Sequence, residues 1–313
     1  MNIISTTVGI VRCPYYSSEI LTESLQKLAE VCCTDINLRS ARIVIKPNLI
    51  SARRSSLACT EGRFILAAAR LFMNRGARVI VGDSPAFGTT RAVLDKIGVL
   101  HSLQKMAVPI ADFTRVKPVI LPSGLTTGLA AEALDCDLLV NLPRVKAHAQ
   151  LRVTLAVKNY FGCVAGLRKP CWHMKYGGTT GAFKHHLVEL LSVLPQSITF
   201  VDGITAMHRN GPISGEPFDL GIVACSANPV AADRALLEVI GLEPHASPLM
   251  LACIDAGITG IDLAELAFPI LAPRDVKADD FEVPAELSPI RFSPFRFLKS
   301  NIKRTIMQYR ASR

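Results

Sequence analysis

The chain is punctuated. Short runs of β-branched and aliphatic residues stop at clusters of Pro, Gly, Asn, Asp or Ser, and longer stretches with helical spacing follow. Arg42 to Ile45 reads as a buried strand that stops at Lys46-Pro47-Asn48, and Thr60 to Asn74 reads as a helix capped by Thr60 and ended by Gly76. Arg78 to Val81 closes in Gly82-Asp83-Ser84-Pro85, a helical stretch from Thr89 to Lys105 breaks near Gly98, and Leu138 to Asn141 ends in Leu142-Pro143-Arg144. The second half repeats the rhythm: a helix over Thr179 to Leu194, strands at Ser197 to Val201 and Leu220 to Ala224, and a helix from Val230 to Ile240. Few architectures accept this alternation. It predicts an α/β fold, a mostly parallel sheet flanked by helices, as one domain or two packed lobes. Half of the residues are hydrophobic but only 6% are aromatic, the balance expected of strands covered on both faces.

The expected division is an α/β domain over 1–285 and a basic amphipathic tail over 286–313. Asp262 to Pro289 is richer in Pro and acids and reads as a closing segment plus linker. The net charge is +9, and seven of those charges follow Glu286, where no acid occurs: Arg291, Arg296, Lys299, Lys303, Arg304, Arg310 and Arg313. The rest is nearly balanced, so a nucleic-acid partner is not expected. In the tail, Phe295, Leu298, Ile302, Ile306 and Tyr309 recur at helical spacing. Residues 291–313 thus suit an anionic membrane surface or an acidic protein; docking on the body or on a second copy, as in a homo-oligomer, is the structural alternative. The opening residues lack a secretory pattern, and no uncharged apolar run approaches the roughly 20 residues of a membrane span. The expected location is the cytoplasm, with peripheral membrane attachment through the tail. Nine scattered cysteines without C-x-x-C support neither a disulfide framework nor an iron–sulfur cluster.

In open α/β sheets, ligands sit beyond the carboxyl ends of the strands, and here those ends carry the chemistry. Lys46 and Asn48, Asp83 and Ser84, Arg144, Lys146 and His148, Asp202, and Asn228 each follow an apolar run. Lys146 and Lys158 read as clamps for carboxylate or phosphate, or as bases if desolvated, and His148 as the group that moves a proton. Lys46, Asn48, Ser84, Arg144, Asn159 and Asn210 read as substrate contacts, and Asp83 and Asp202 as holders of a divalent metal. The structural alternatives are a solvated Lys–His loop, an Asp/Ser/Pro turn capped by Thr89 or Thr90, and an Asn-Gly-Pro turn at Asn210. Asp233 reads as a first-turn acid that complements a helix dipole. His173, beside Gly177-Gly178-Thr179-Thr180-Gly181, sits where a loop can cover a site; His185, His186 and His208 read equally well as surface histidines. No phosphate-binding G-x-x-x-x-G-K-[ST], no G-x-G-x-x-G after a strand, no G-x-S-x-G and no H-E-x-x-H occurs.

Several stretches run in the order of a known family. They are Lys46-Pro47-Asn48-Leu49, Val81-Gly82-Asp83-Ser84-Pro85, Asn141 to His148, Thr154 to Asn159, Phe161-Gly162-Cys163, Asp202-Gly203 with Asn210-Gly211-Pro212, and Asn228 to Asp233. Over roughly residues 41 to 260 the chain resembles the domain of unknown function 362 (DUF362) family. The resemblance implies a shared domain and no settled activity. Some members append a ferredoxin-like module, whose closely spaced cysteines this chain lacks. A fold-level likeness to lactate-racemase-type proteins rests on no matching motif residue. The expected function is an enzyme acting on a small anionic metabolite through Lys/His acid–base chemistry, with a divalent metal as a candidate cofactor. The alternative is a non-catalytic redox-accessory or binding protein tethered by its tail.

Overall fold

The computed structural model describes residues 5–34, 36–52, 56–166, 168–177 and 181–288. The tail at 291–313 lies outside the described residues, as do Gly178, Thr179 and Thr180 of the expected covering loop. Eleven strands are present among the described residues: β1 Gly9–Arg12, β2 Arg42–Pro47, β3 Arg78–Asp83, β4 Ile110–Asp112, β5 Val116–Ile120, β6 Thr126–Ala130, β7 Leu138–Leu142, β8 Arg144–His148, β9 Arg152–Thr154, β10 Ser197–His208 and β11 Glu216–Ser226. The helices are α1 Ser18–Cys32, α2 Gly62–Asn74, α3 Thr90–Lys96, α4 Leu100–Lys105, α5 Ala131–Leu134, α6 Ala156–Asn159, α7 Arg168–Tyr176, α8 Ala182–Glu189, α9 Pro229–Val239 and α10 Pro248–Asp255.

One nine-stranded sheet organises them in the order β1-β11-β10-β7-β2-β3-β4, with β8 and β9 extending from β10; β5 and β6 form a separate ribbon. From β10 to β4 the pairings are parallel, and β1, β11 and β10 pair antiparallel. The sheet is therefore mixed and mostly parallel. Strand β10 outruns the apolar segment that predicts it because it serves two neighbours. Ser197 to Thr199 pair with β7, and Asp202 and Met207 pair with β8. Pro143 separates β7 from β8; it has no N–H to give a ladder, and its carbonyl accepts from Asp202 N at 2.8 Å.

Alternate residues of the central strands feed cores on opposite faces, the period-2 rule of a strand. Ile198, Phe200, Val223 and Cys225 join the core under α1 and α2, whereas Val201, Ile222 and Ala224 join the core under α9 and α10. The helix signals hold in detail at Thr89, which caps α3, and at Gly98, whose φ of 77° parts α3 from α4. At α2 the cap is Glu61, not Thr60; the Thr60 hydroxyl instead donates to Leu142 O at 2.6 Å and accepts from Asn48 N at 2.8 Å. Of the helix expected over Thr179 to Leu194, the described residues form α8 and a 3-10 turn at Leu190–Ser192, and α7 precedes them, carrying His173 on a helix rather than a loop. The closing segment packs on the body: Leu266, Val276 and Phe281 are buried, and Ser288 N donates to Ala149 O at 2.9 Å.

Candidate functional site

The site is built on an alternation inside β2. Ile43 and Ile45 enter the α1/α2 core, while Val44 packs with Leu139, Tyr160 and Cys163 on the other face. Lys46 falls on that second face, fully buried, with Asn141 and Thr199 on neighbouring strands equally buried. Its ammonium lies 3.0 Å from Asp83 Oδ1 and donates to Pro47 O at 2.9 Å and to Asn159 Oδ1 at 3.3 Å. Asn159 Nδ2 donates to Asn141 Oδ1 at 2.8 Å, and Asn141 Nδ2 donates to Ala156 O at 3.1 Å and Thr199 Oγ1 at 3.2 Å. This ladder of amides pins α6 over the strand ends. Asp83 also accepts from Leu49 N at 2.8 Å and Ser84 N at 2.9 Å. Gly162 lets the chain cross the ion pair, since a Cβ there would overlap both Lys46 Nζ and Asp83 Oδ1.

A second polar group lies beside β8. Tyr16 OH donates to Asp202 Oδ1 at 2.7 Å and accepts from Arg144 Nη2 at 3.2 Å and Thr205 N at 3.1 Å. Arg144 also donates to Thr205 O at 2.7 Å and Cys59 O at 3.0 Å, and lies 3.9 Å from Asp202. Asp202 further accepts from Glu61 N at 3.1 Å. Burial pushes the Asp202 carboxyl up, with Arg144 and the hydrogen bonds opposing, and burial also pushes the Tyr16 phenol up.

Between these groups lies a concentration of basic side chains. Lys146 donates to Ala58 O at 2.8 Å, the carbonyl that Asn48 Nδ2 also reaches at 2.7 Å. Desolvation, with Arg144 and Lys46 as like charges, lowers the Lys146 pKa to about 7. Lys158 stands over the Phe161 ring at 4.0 Å and the Phe183 ring at 5.0 Å. Desolvation and then Lys169, Lys146 and Lys46 hold its pKa well below the ordinary lysine value, although the residue keeps partial exposure. His148 is held well below the usual imidazole range by burial, Lys158 and Lys146, and His173 is lowered to about 3 by burial, Lys158 and Lys169. His148 Nδ1 accepts from Gln150 N at 3.1 Å and Leu151 N at 3.2 Å, so its proton resides on Nε2.

The structure thus gathers Lys46, Lys146, Lys158, His148, Asp83 and Asn159, but it recasts several roles. His148 is a neutral donor through Nε2, because the Nδ1 lone pair already serves two backbone amides; it is not placed to act as the base. Asp83 and Asp202 have their oxygens engaged by protein donors, and among the described residues no three ligating side chains group as a metal site. They do not fit a metal-holding pair. Arg144 is tied into the Tyr16–Asp202 group, Asn48 to Ala58, and Ser84 Oγ to Gly162 O at 2.7 Å. Asn210 is exposed; Gly211 beside it packs so closely that a Cβ would overlap Ala147 O.

Two members escape a reading by strand ends. Lys169 sits on α7 and donates to Ser84 O; its position one helix away gives no sequence signal. Asp233 is the fifth residue of α9 and reaches a different helix from its own, accepting from Ala156 N at 2.7 Å and Val157 N at 3.2 Å. It caps α6, the helix that ends in Lys158 and Asn159. Burial raises its pKa to about 7 against those two donors.

The chain has relatives among known proteins. Thylakoid-associated protein sll1697 of Synechocystis sp. (strain ATCC 27184 / PCC 6803 / Kazusa) is 34% identical over 307 residues, which are 97% of this chain and 95% of that protein. Among solved structures, a protein from Thermotoga maritima aligns with a TM-score of 0.45 at 13% identity, over 67% of this chain and 56% of its own. The lactate racemase apoprotein from Thermoanaerobacterium thermosaccharolyticum gives 0.45 at 12% identity, over 72% and 55%. The chain spans just over half the length of either structure. The model of a domain of unknown function, DUF362, matches residues 43–238, a span that holds the Lys46–Asp83 pair, the lysine cluster and the Asp233 cap. By that match, which takes in more than half of its residues, the chain belongs to the DUF362 family.

Proposed function

We propose that this chain is an enzyme acting on a small anionic metabolite, a carboxylate or a phosphate, by lysine-centred acid–base chemistry. One observation carries the reading. Lys46, Lys146 and Lys169 bear on Lys158, and the carboxylate beside them, Asp83, is already paired to Lys46. Such a group is electrostatically incomplete, and an anion supplies what it lacks. Lys169, with Lys146 in its protonated form, would grip the anion beside Lys158. Lys146, with a pKa of about 7, is matched to giving and taking a proton at neutral pH. His148 would donate a hydrogen bond from Nε2.

Titration calorimetry with orthophosphate and with malonate tests the reading. Both Lys146→Ala and Lys158→Ala are expected to weaken binding of the preferred anion at least about tenfold, a loss of roughly 1.4 kcal/mol. Absence of binding by both probes to the unaltered protein, or affinity in both variants unchanged from the unaltered protein, would overturn it.

A second reading concerns location. The name of the Synechocystis relative associates that protein with thylakoids, and seven basic residues after Glu286 suit an anionic surface. No described helix is long and apolar enough to cross a membrane, so attachment would be peripheral. Full-length protein is expected to float with vesicles rich in anionic lipid, and a version ended at Pro289 is expected to stay behind. Equal flotation of the two would remove the tail from any membrane role.

A further inference from the structure

We propose that Lys158 binds substrate covalently, capturing the carbonyl carbon of a small 2-oxo or aldehydic anion as a Schiff base. The inference rests on the anion-binding reading and narrows its substrate class to anions that carry a carbonyl group.

Geometry singles out Lys158. Lys46 has Asp83, Lys146 has the Ala58 carbonyl and Lys169 has the Ser84 carbonyl. Lys158 has only ring faces: among the described residues its amine has no hydrogen-bond or ion-pair partner, and Phe161 and Phe183 form its immediate walls. His173 lies against the same rings, 5.3 Å from Phe161 and 4.5 Å from Phe183 between centroids. Apolar walls that remove water, together with neighbouring ammonium groups, are the surroundings that turn a lysine into a nucleophilic amine. Partial exposure leaves a way in for a small molecule.

The neighbours fit the same chemistry. Charged and titratable groups bear on Lys158 from β2 (Lys46), β8 (Lys146, His148) and α7 (Lys169, His173). The ammonium groups of Lys146 and Lys169 would hold the carboxylate or phosphate, and His148 Nε2–H would donate to the carbonyl oxygen. The Nζ lone pair forms a bond to the carbonyl carbon while the C=O π pair moves to oxygen, which takes a proton. Nitrogen gives up its two hydrogens as protons, the oxygen leaves as water with a second proton, and a C=N bond remains. The step needs no oxidant or reductant.

Full-length protein incubated with glyoxylate and sodium borohydride tests the proposal, the borohydride reducing any C=N bond to a stable amine. One carboxymethyl group per chain is expected, located by peptide mapping on Lys158 and absent in Lys158→Arg of unchanged circular dichroism. Malonate, which has no reactive carbonyl, is titrated in parallel by calorimetry. Malonate binding without an adduct on Lys158, or labelling spread evenly over exposed lysines such as Lys27 and Lys105, would overturn the covalent step and leave anion binding standing. Neither binding nor labelling would overturn both readings.

Discussion

Replacing Asp83 by alanine is expected to lower the free energy of unfolding by about 3–5 kcal/mol, the usual cost of orphaning one partner of a buried ion pair. The side chains of Lys46 and Asp83 are only 1% and 3% exposed, so water cannot take the place of the lost carboxylate. The remaining Lys46 charge would face Lys146 and Lys158 with no acid between them. Leu49 N and Ser84 N would also lose their acceptor. Replacing both partners, Lys46→Met with Asp83→Leu, is expected to recover much of the loss, because an apolar pair of similar volume leaves no buried charge unmatched. Urea unfolding followed by circular dichroism gives both numbers. A loss below about 1 kcal/mol in Asp83→Ala would show that the pair is solvated, as exposed ion pairs are.

Anion affinity is expected to fall about tenfold for each pH unit between pH 7 and pH 9. The sign follows from Lys146. Its folded pKa is lowered to about 7 by burial and like charge, and a bound anion favours the protonated form, so binding takes up a proton once the free site has lost it. Below pH 7 the free site already carries that proton and affinity is flat with respect to this group. At one proton per anion, two pH units correspond to about 2.7 kcal/mol. The ligand-free protein should trend the other way. An unfolded chain holds the Lys146 proton up to its ordinary pKa, so between about pH 7 and the usual lysine value the unfolded state binds more protons, and stability rises with pH. Calorimetry at several pH values, in buffers of different ionisation enthalpy, counts the proton directly. An affinity that is level from pH 7 to pH 9 would mean that Lys146 keeps its proton in the empty site.

The strand ends were legible because the sequence marks them with abrupt changes of chemistry: Ile45 to Lys46, Val81 to Asp83, Val201 to Asp202. Parallel pairing then brings Lys46, Asn141 and Asp83 together without further information, since neighbouring strands end on the same side. Beyond that point the sequence is silent. Strand β8 is built of Arg, Lys and His at alternate positions and carries no apolar run, so Arg144 to His148 reads as a loop until Asp202 and Met207 of β10 are seen to pair with it. Helix α7 has little apolar periodicity, and Lys169 reaches Ser84 over 85 residues of sequence. Roles were harder to read than places. His148 and Asp202 are where strand-end reasoning puts them, but what they do depends on backbone amides at Gln150, Leu151 and Glu61 that no side-chain pattern encodes.

Asp233 ties the site to a late stretch of the chain. A polypeptide that stopped before Asn228 would contain every lysine and histidine of the cluster, yet the first amides of α6 would have no acceptor and Lys158 no fixed origin. During synthesis the charged residues emerge well ahead of the carboxylate that holds their helix, so the nascent chain carries the ingredients of the site before it can hold them in place. Fragment complementation with a piece starting near Ser226 would restore the missing clasp from outside, and the cluster would then take shape only when the two pieces meet.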